Sequence, residues 1–308
     1  MNKIKIALVG VGKIARDQHV PAIAGNAAFE LVAAASPHHK LDGVKNFPDV
    51  QALIAGVPDL DALAICTPPQ IRYDIARFAL AQGRHVMLEK PPGATLNEVS
   101  ALVELAKSKG VALQATWHSR EAAGVEPARR WLAGRNVRKV VVTWKEDVRV
   151  WHPGQTWIWK AGGLGVFDPG INAMSIITRI LPGNLVLRDA QLAFPSNCEA
   201  PVAATLQLAN ESGTDVCMDL DFLQTGPQTW DIVVDTDDGR LVLSKGGSVL
   251  RINDDPPIEA PDREYPNLYA RFAELVRSHQ IDVDVTPFQL VADAFMCGRR
   301  VVVAPFVE

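Results

Sequence analysis

Three short segments of this chain carry residue types whose spacing can do chemistry. In Gly10-Val11-Gly12-Lys13-Ile14-Ala15 a β-rich run leads into two glycines one residue apart, followed by a small residue three positions later. The first glycine makes a tight turn, the second lets a pyrophosphate approach the backbone, and Ala15 lets a helix pack closely on a strand. The start of that helix, at Lys13 and Ile14, turns its unpaired N–H groups toward the anion. A glycine turn between any strand and helix has the same look, but the strand-turn-helix context favours a dinucleotide. About twenty residues on, where a carboxylate would bind the 2′-hydroxyl of NAD, the chain reads Ser36-Pro37-His38-His39-Lys40, with donors and no acid. NADP is therefore the expected cofactor, held through Ser36 and His38, with NAD accepted. A solvated polar turn would have the same composition.

The second segment is Glu89-Lys90-Pro91-Pro92, where two prolines stiffen the turn that carries an ammonium. The third is Asp168-Pro169-Gly170-Ile171-Asn172. Asp before Pro suits a helix N-cap followed by the first helical residue. Asp168 and Asn172 are also four apart, so an acceptor and an amide can look out of one helix face. Between these segments, four of the seven tryptophans (Trp144, Trp151, Trp157, Trp159) fall among Lys145, Glu146, Asp147, Arg149 and His152. Such a set offers flat apolar surface and fixed polar groups to a sugar ring. Core packing accounts for Trp144, and a clamped loop accounts for Trp157 and Trp159.

The elements that must position these groups follow from the pattern of the chain. At 308 residues it has room for about two domains. From Lys3 to Trp117, runs at Lys3 to Val9, Leu31 to Ala35, Ala62 to Cys66, His85 to Leu88 and Val111 to Ala115 alternate with segments of helical period. One of those helices opens with a capping box at Thr95 to Glu98. This is the pattern of a doubly wound parallel sheet, expected over residues 1–119. Its ligands lie beyond the carboxyl ends of the strands, where Thr67, Pro68, Glu89 and Lys90 all fall. From residue 120 to 308, long strands follow one another with one helix near Gly170 to Leu181, which calls for an α+β domain with a mostly antiparallel sheet. A tail helix over 287–298 can dock on either domain, the first included.

Composition excludes other classes of function. The net charge is −4, with no basic field to attract nucleic acid. No apolar run approaches the roughly 20 residues of a membrane span. Cys66, Cys198, Cys217 and Cys297 have no metal-ligand spacing and fit buried thiols in a reducing cytoplasm. No metal is expected.

Taken in order, Gly10 to Ala15, Thr67-Pro68-Pro69, Glu89-Lys90-Pro91 and Gly162-Gly163-Leu164-Gly165-Val166-Phe167-Asp168 through Asn172 resemble the Gfo/Idh/MocA family of oxidoreductases over essentially the whole chain. Within it, the text is similar to that of enzymes that oxidise L-arabinose or D-galactose at C1. The resemblance implies NAD(P)-dependent oxidation of an aldose to its lactone, with overlapping activity on L-arabinose, D-galactose and D-fucose. Lys90 would hold the C1 hydroxyl, Asp168 would accept its proton and Asn172 would orient the sugar. Trp151 and Trp230 would stack on the ring, and Glu146, His152 and His118 would bind hydroxyls. Most of the family has His where this chain has Asn172, so no Asp–His relay is expected. A monomer or homodimer fits the family, as does a different polyol substrate or a non-catalytic regulator that senses NADP.

Overall fold

The structure, a computed structural model, describes residues 2–308. The chain forms two compact units, one made of residues up to Trp117 together with Glu264–Val285, the other of His118–Arg263 together with Thr286–Glu308.

In the first unit, strands β1 (Ile4–Val9), β2 (Phe29–Ala35), β3 (Lys45–Phe47), β4 (Ala62–Ile65), β5 (His85–Leu88) and β6 (Leu113–Ala115) are joined by a late strand, Ile281–Asp282. All pair in parallel, in the order Ile281–Asp282, β6, β5, β4, β1, β2, β3. Alternate residues of β1 serve opposite faces: Ile4, Ile6 and Leu8 enter one core cluster, Ala7 and Val9 the other. Burial on both faces is why these strands read as continuous apolar runs. The order reverses at β1, so a crevice opens at the carboxyl ends of β1 and β4. Thr95 caps helix Leu96–Lys109 as its spacing predicts, accepting from Glu98 N at 3.2 Å while Glu98 Oε2 accepts from Thr95 N at 3.3 Å.

The second unit holds β7 (Val137–Lys145), β8 (Val186–Pro195), β9 (Ala203–Ala209), β10 (Asp215–Asp221), β11 (Thr229–Thr236), β12 (Gly239–Ser244), β13 (Val249–Ile252) and β14 (Ile258–Glu259), with strand Arg299–Val303 at one edge. Their order is β14, β13, β12, β11, β7, β10, β9, β8, Arg299–Val303. The β7/β10 pair and the edge pair are parallel and the rest antiparallel. Val140, Val142, Trp144, Val216, Met218 and Leu220 are buried on one face. Helix Phe167–Ile180 packs there so closely that a Cβ on Gly170 would lie 2.8 Å from Leu220 Cδ1.

The expected division into 1–119 and 120–308 is corrected by the return of Glu264–Val285 to the first unit. Tyr265, Leu268, Tyr269, Phe272 and Val276 make one apolar face of helix Glu264–Ser278 and complete the core over β1. The tail helix, Thr286–Cys297, packs instead on helix Phe167–Ile180 and on β8, where Phe295 meets Phe167 at 5.4 Å. Among the described residues no helix is long and apolar enough to cross a membrane.

His85, at the start of β5, accepts a hydrogen bond from Ala112 N at 2.9 Å and faces the His279 ring at 5.1 Å. Burial first, and then the neighbouring His279, push its pKa down to about 4. The unfolded chain therefore binds a proton here that the folded one refuses. The stability this provides is fully present above about pH 6.5 and is lost as pH falls toward 4. The urea midpoint of the parent should fall more steeply between pH 6.5 and 5 than that of His85→Asn, and equal slopes would contradict the assignment.

Candidate active site

In the first unit, the ends of β1, β2, β4 and β5 deliver Gly10, Ser36, Thr67 and Glu89 to one edge of the sheet. Gly10 (φ +90°) turns the chain beside the end of β4, and a Cβ there would lie 3.0 Å from Cys66 C and Thr67 N. At Gly12 a Cβ would meet nothing within 4 Å. Protein packing does not demand a glycine at that position, which leaves the backbone open to close approach of a ligand. Thr67 Oγ1 is buried without a hydrogen-bond partner. The open cradle at Gly12 and this orphaned hydroxyl both fit a dinucleotide. Lys13 pairs with Asp17, Ile14 is exposed, and the helix that follows carries a π turn over Ala15–His19.

Beyond β2, Ser36 is half-buried and its Oγ accepts from His39 N at 3.3 Å, while His38, His39 and Lys40 are exposed. Arg16 Nη2 donates to Lys40 O at 2.8 Å. A guanidinium thus lies against the loop read for 2′-phosphate recognition. Sequence reading passed over Arg16, although its place directly after the Gly10-to-Ala15 motif was a usable signal.

The turn carrying Lys90 is held from two sides. Arg72, buried on helix Pro69–Ala81, donates to the carbonyls of Thr67 and Pro91 and, at 2.5 Å, to that of Glu89. The buried Glu89 carboxylate accepts from Lys90 N at 3.0 Å through Oε2. Its Oε1 accepts from Tyr265 Oη at 2.9 Å and lies 3.0 Å from His19 Nε2. His19 Nδ1 lies 2.7 Å from Tyr269 Oη. Burial opposes the His19 imidazolium, but Cys66, Tyr269 and Glu89 outweigh it and hold the pKa well above its ordinary value. Burial and Glu89 raise the pKa of Tyr265, which stays a donor. The carboxylate of Glu89, expected at the cofactor, therefore faces this internal network. Pro68 immediately precedes the helix that carries Arg72. The Lys90–Pro91 peptide is cis.

In the second unit, cross-strand register sets the sugar-binding candidates side by side. Trp144 pairs with Leu220 on one side and with Trp230 on the other. Alternation brings Glu146 and Phe222, two residues beyond Trp144 and Leu220, to the same face. Glu146, 3% exposed, accepts from Trp230 Nε1 at 2.8 Å through Oε2. Asp147 caps the short helix Val148–Trp151, accepting from Arg149 N at 3.0 Å, and thereby delivers Trp151 and His152. Trp151 is 39% exposed, with its ring 4.9 Å from that of Trp230. Trp144 is buried, and Trp159 packs on Phe222 and Phe306.

Asp168, also 3% exposed, lies inside the first turn of helix Phe167–Ile180. The helix begins at Phe167 after Val166 and has no side-chain cap, so Asp168 is not its N-cap. Gly165 (φ +53°) shapes the entry, where a Cβ would collide with Pro201 O, and accepts from Asp168 N at 2.9 Å. His152 stands between the two buried carboxylates, with Nε2 3.3 Å from Glu146 Oε1 and Nδ1 3.7 Å from Asp168 Oδ2. The helix of Asp168 carries no imidazole, as Asn172 implies, but that of His152 approaches Asp168 from another element. Asn172 is half-buried one turn along the same helix. His118 is half-buried on the turn His118–Glu121, which Arg120 ties to that helix through Ser175 O (2.9 Å) and Thr178 Oγ1 (3.1 Å). Among the described residues no group of three or more His, Cys, Asp and Glu side chains is arranged to hold a metal ion.

Residues 4–116 match the oxidoreductase family with an NAD-binding Rossmann fold, Gfo/Idh/MocA. The chain is 43% identical over 308 residues to galactose 1-dehydrogenase of Pseudomonas fluorescens, covering 100% of both chains. It is 52% identical to D-galactose-1-dehydrogenase of Rhizobium etli, whose crystal structure superposes with a TM-score of 0.95 over 100% of this chain and 99% of that one. A 3-ketoreductase of Actinomadura kijaniata, solved with NADP and TDP-benzene, shares the fold at 19% identity and a TM-score of 0.85, over 98% of this chain and 100% of that one. With these full-length likenesses and a sheet edge built for a dinucleotide, the chain belongs to the Gfo/Idh/MocA family of oxidoreductases.

Proposed function

We propose that this chain oxidises an aldose at C1 to the aldonolactone with NAD(P), acting on D-galactose, L-arabinose and D-fucose. The observation that carries the reading is the buried carboxylate of Asp168 beside His152, Glu146, Trp230 and Trp151. Full-length similarity to two galactose 1-dehydrogenases supports it.

The dinucleotide, when bound, accepts the hydride from C1. Gly10, Gly12 and the helix start at Lys13 and Ile14 hold its pyrophosphate, and Thr67 and Pro68 line its crevice. Ser36, His38 and Arg16 meet a 2′-phosphate, so NADP is the preferred form. Lys90 hydrogen-bonds the C1 hydroxyl and stabilises negative charge that develops on its oxygen. The turn that carries it is stiffened by Arg72 and Glu89, which keeps the ammonium oriented. Asp168 takes the hydroxyl proton, and a negative group in the first turn of a helix is favoured by the helix dipole. Asn172, one turn along, is an amide that orients the sugar without exchanging a proton. Trp151 and Trp230 offer apolar faces to its C–H surface. Glu146, His152 and His118 bind its hydroxyls. L-Arabinopyranose has the ring configuration of D-galactopyranose without the hydroxymethyl group, so one set of hydroxyl contacts serves both.

Three outcomes follow. Asp168→Ala should lower kcat by about 10²- to 10⁴-fold, as removal of a general base does; NADPH formation within a few-fold of the parent would exclude Asp168 as the base. kcat/KM for NADP should exceed that for NAD, and Arg16→Ala should lower the NADP value by about tenfold, the scale of one charge-assisted hydrogen bond, with less effect on NAD. A parental preference for NAD contradicts this. On a sugar panel, D-galactose, L-arabinose and D-fucose should fall within about 10- to 200-fold of one another, the range that a small apolar difference discriminates. D-Glucose turned over as well as D-galactose would refute the sugar assignment.

A further inference from the structure

We infer that His152 carries the proton away from Asp168 after each turnover, with Glu146 orienting its ring, so that Glu146, His152 and Asp168 form a proton exit inside the second unit. The inference rests on the assignment of Asp168 as the base and extends it to what happens after chemistry. Oxidation of the C1 hydroxyl breaks one C–H and one O–H bond; the hydride leaves with the cofactor and the proton stays on Asp168. A protonated Asp168 cannot serve again until that proton has gone.

Asp168 and Glu146 are poorly placed to give it to water directly, because their side chains are only 4% and 3% exposed. The His152 side chain, at 20%, is the open member of the three. It also lines a cavity of about 600 Å³ shared with Gln155, Thr156, Trp159, Lys160 and Asn197. Arg149, Lys160, Cys198, Glu199 and Glu308 also line this space, and His152 joins it to Asp168, with Nδ1 3.7 Å from Oδ2.

The geometry also selects the tautomer. Glu146 Oε2 is held by Trp230 Nε1, which presents Oε1 to His152 Nε2 at 3.3 Å. A proton on Nε2 satisfies that carboxylate and leaves Nδ1 with a lone pair directed at Asp168 Oδ2, 3.7 Å away. Catalytic hydrogen bonds are commonly long before substrate binds and tighten in the complex. The Asp168 O–H bond then breaks as the His152 Nδ1–H bond forms. The Nδ1–H bond of the resulting imidazolium then breaks to water in the cavity once the ring has turned away from Asp168, which restores the starting tautomer. The imidazole that the family pattern places on the helix at Asn172 is thus replaced in function by one from the Val148–Trp151 segment, acting on the far side of the base.

A hydroxyl contact alone and a proton exit make different demands on kinetics. The test uses the full chain, NADP and D-galactose, with the parent compared to His152→Gln and His152→Ala at fixed pH and ionic strength and rising imidazole concentration. The parental kcat should be independent of imidazole. At saturating D-galactose, the first turnover of both variants should fall below the parent's only by what the lost hydroxyl contact costs. Their steady-state kcat should then be lower by about 10²-fold, the low end of what proton transfer contributes, and should rise with imidazole. The small base has more room in His152→Ala and should restore it more fully. A raised KM with parental kcat, or a kcat that falls equally in the first turnover and stays insensitive to imidazole, would assign His152 to sugar binding alone and overturn the exit. Thermal midpoints close to the parent's in both variants separate either result from misfolding. A parent that forms no NADPH with any aldose removes the base assignment, and the exit with it.

Discussion

A carboxylate that is to take a proton inside a protein must be buried enough to hold substrate away from water and still able to lose that proton afterwards. In the proposed mechanism Asp168 meets both conditions through its surroundings. Its place in the first turn of helix Phe167–Ile180 gives the charge a favourable dipole, and the close seat of Gly170 on Leu220 fixes that helix against the sheet. The neighbouring imidazole of His152 is delivered by a separate short helix that Asp147 caps. The register of β7 with β10 and β11 sets Trp144 and Trp230 on one face, and Glu146 and Phe222 follow by alternation. A slip by one residue would turn that whole row to the other side.

The first unit solves a different problem, the rigid presentation of an ammonium beside a dinucleotide crevice. Lys90 lies at the end of a central strand, and its backbone is fixed by Glu89, which is fixed in turn by Tyr265 and His19. His19 closes the π turn that follows the glycine-rich loop, so that segment and the segment that carries Lys90 share one buried hydrogen-bonded network. Such a network is stable only when every member is satisfied. This is the physical reason that a helix from late in the chain, Glu264–Ser278, returns to the first unit carrying two tyrosines.

Local signals made much of this legible. The five strands from Lys3 to Ala115, the capping box at Thr95 and the glycine-rich turn are short-range features, and the structure reproduces each within a few residues. The antiparallel character of the second sheet followed from strands that succeed one another without crossover helices. Pairings across long sequence separations were not legible. Helix Glu264–Ser278 is missing from the sequence reading, and nothing in its own residues says which sheet it covers. The expectation of Asp168 as an N-cap followed a sound local rule and failed because the turn at Gly165 starts the helix two residues earlier. The approach of His152 to Asp168 joins residues sixteen apart through a turn and a short helix, a geometry that no spacing rule encodes.

The central claim is that this chain removes hydride from C1 of a galactose-type pyranose while Asp168 receives the hydroxyl proton. Its most direct test is isotopic: incubation with D-[1-²H]galactose and NADP, followed by NMR of both products. The account predicts deuterium on the reduced nicotinamide ring, a carbonyl at C1 of the sugar, and a slower rate than with the unlabelled substrate whenever hydride transfer limits turnover. Deuterium retained at C1, with the carbonyl at another carbon or no oxidation at all, would contradict it.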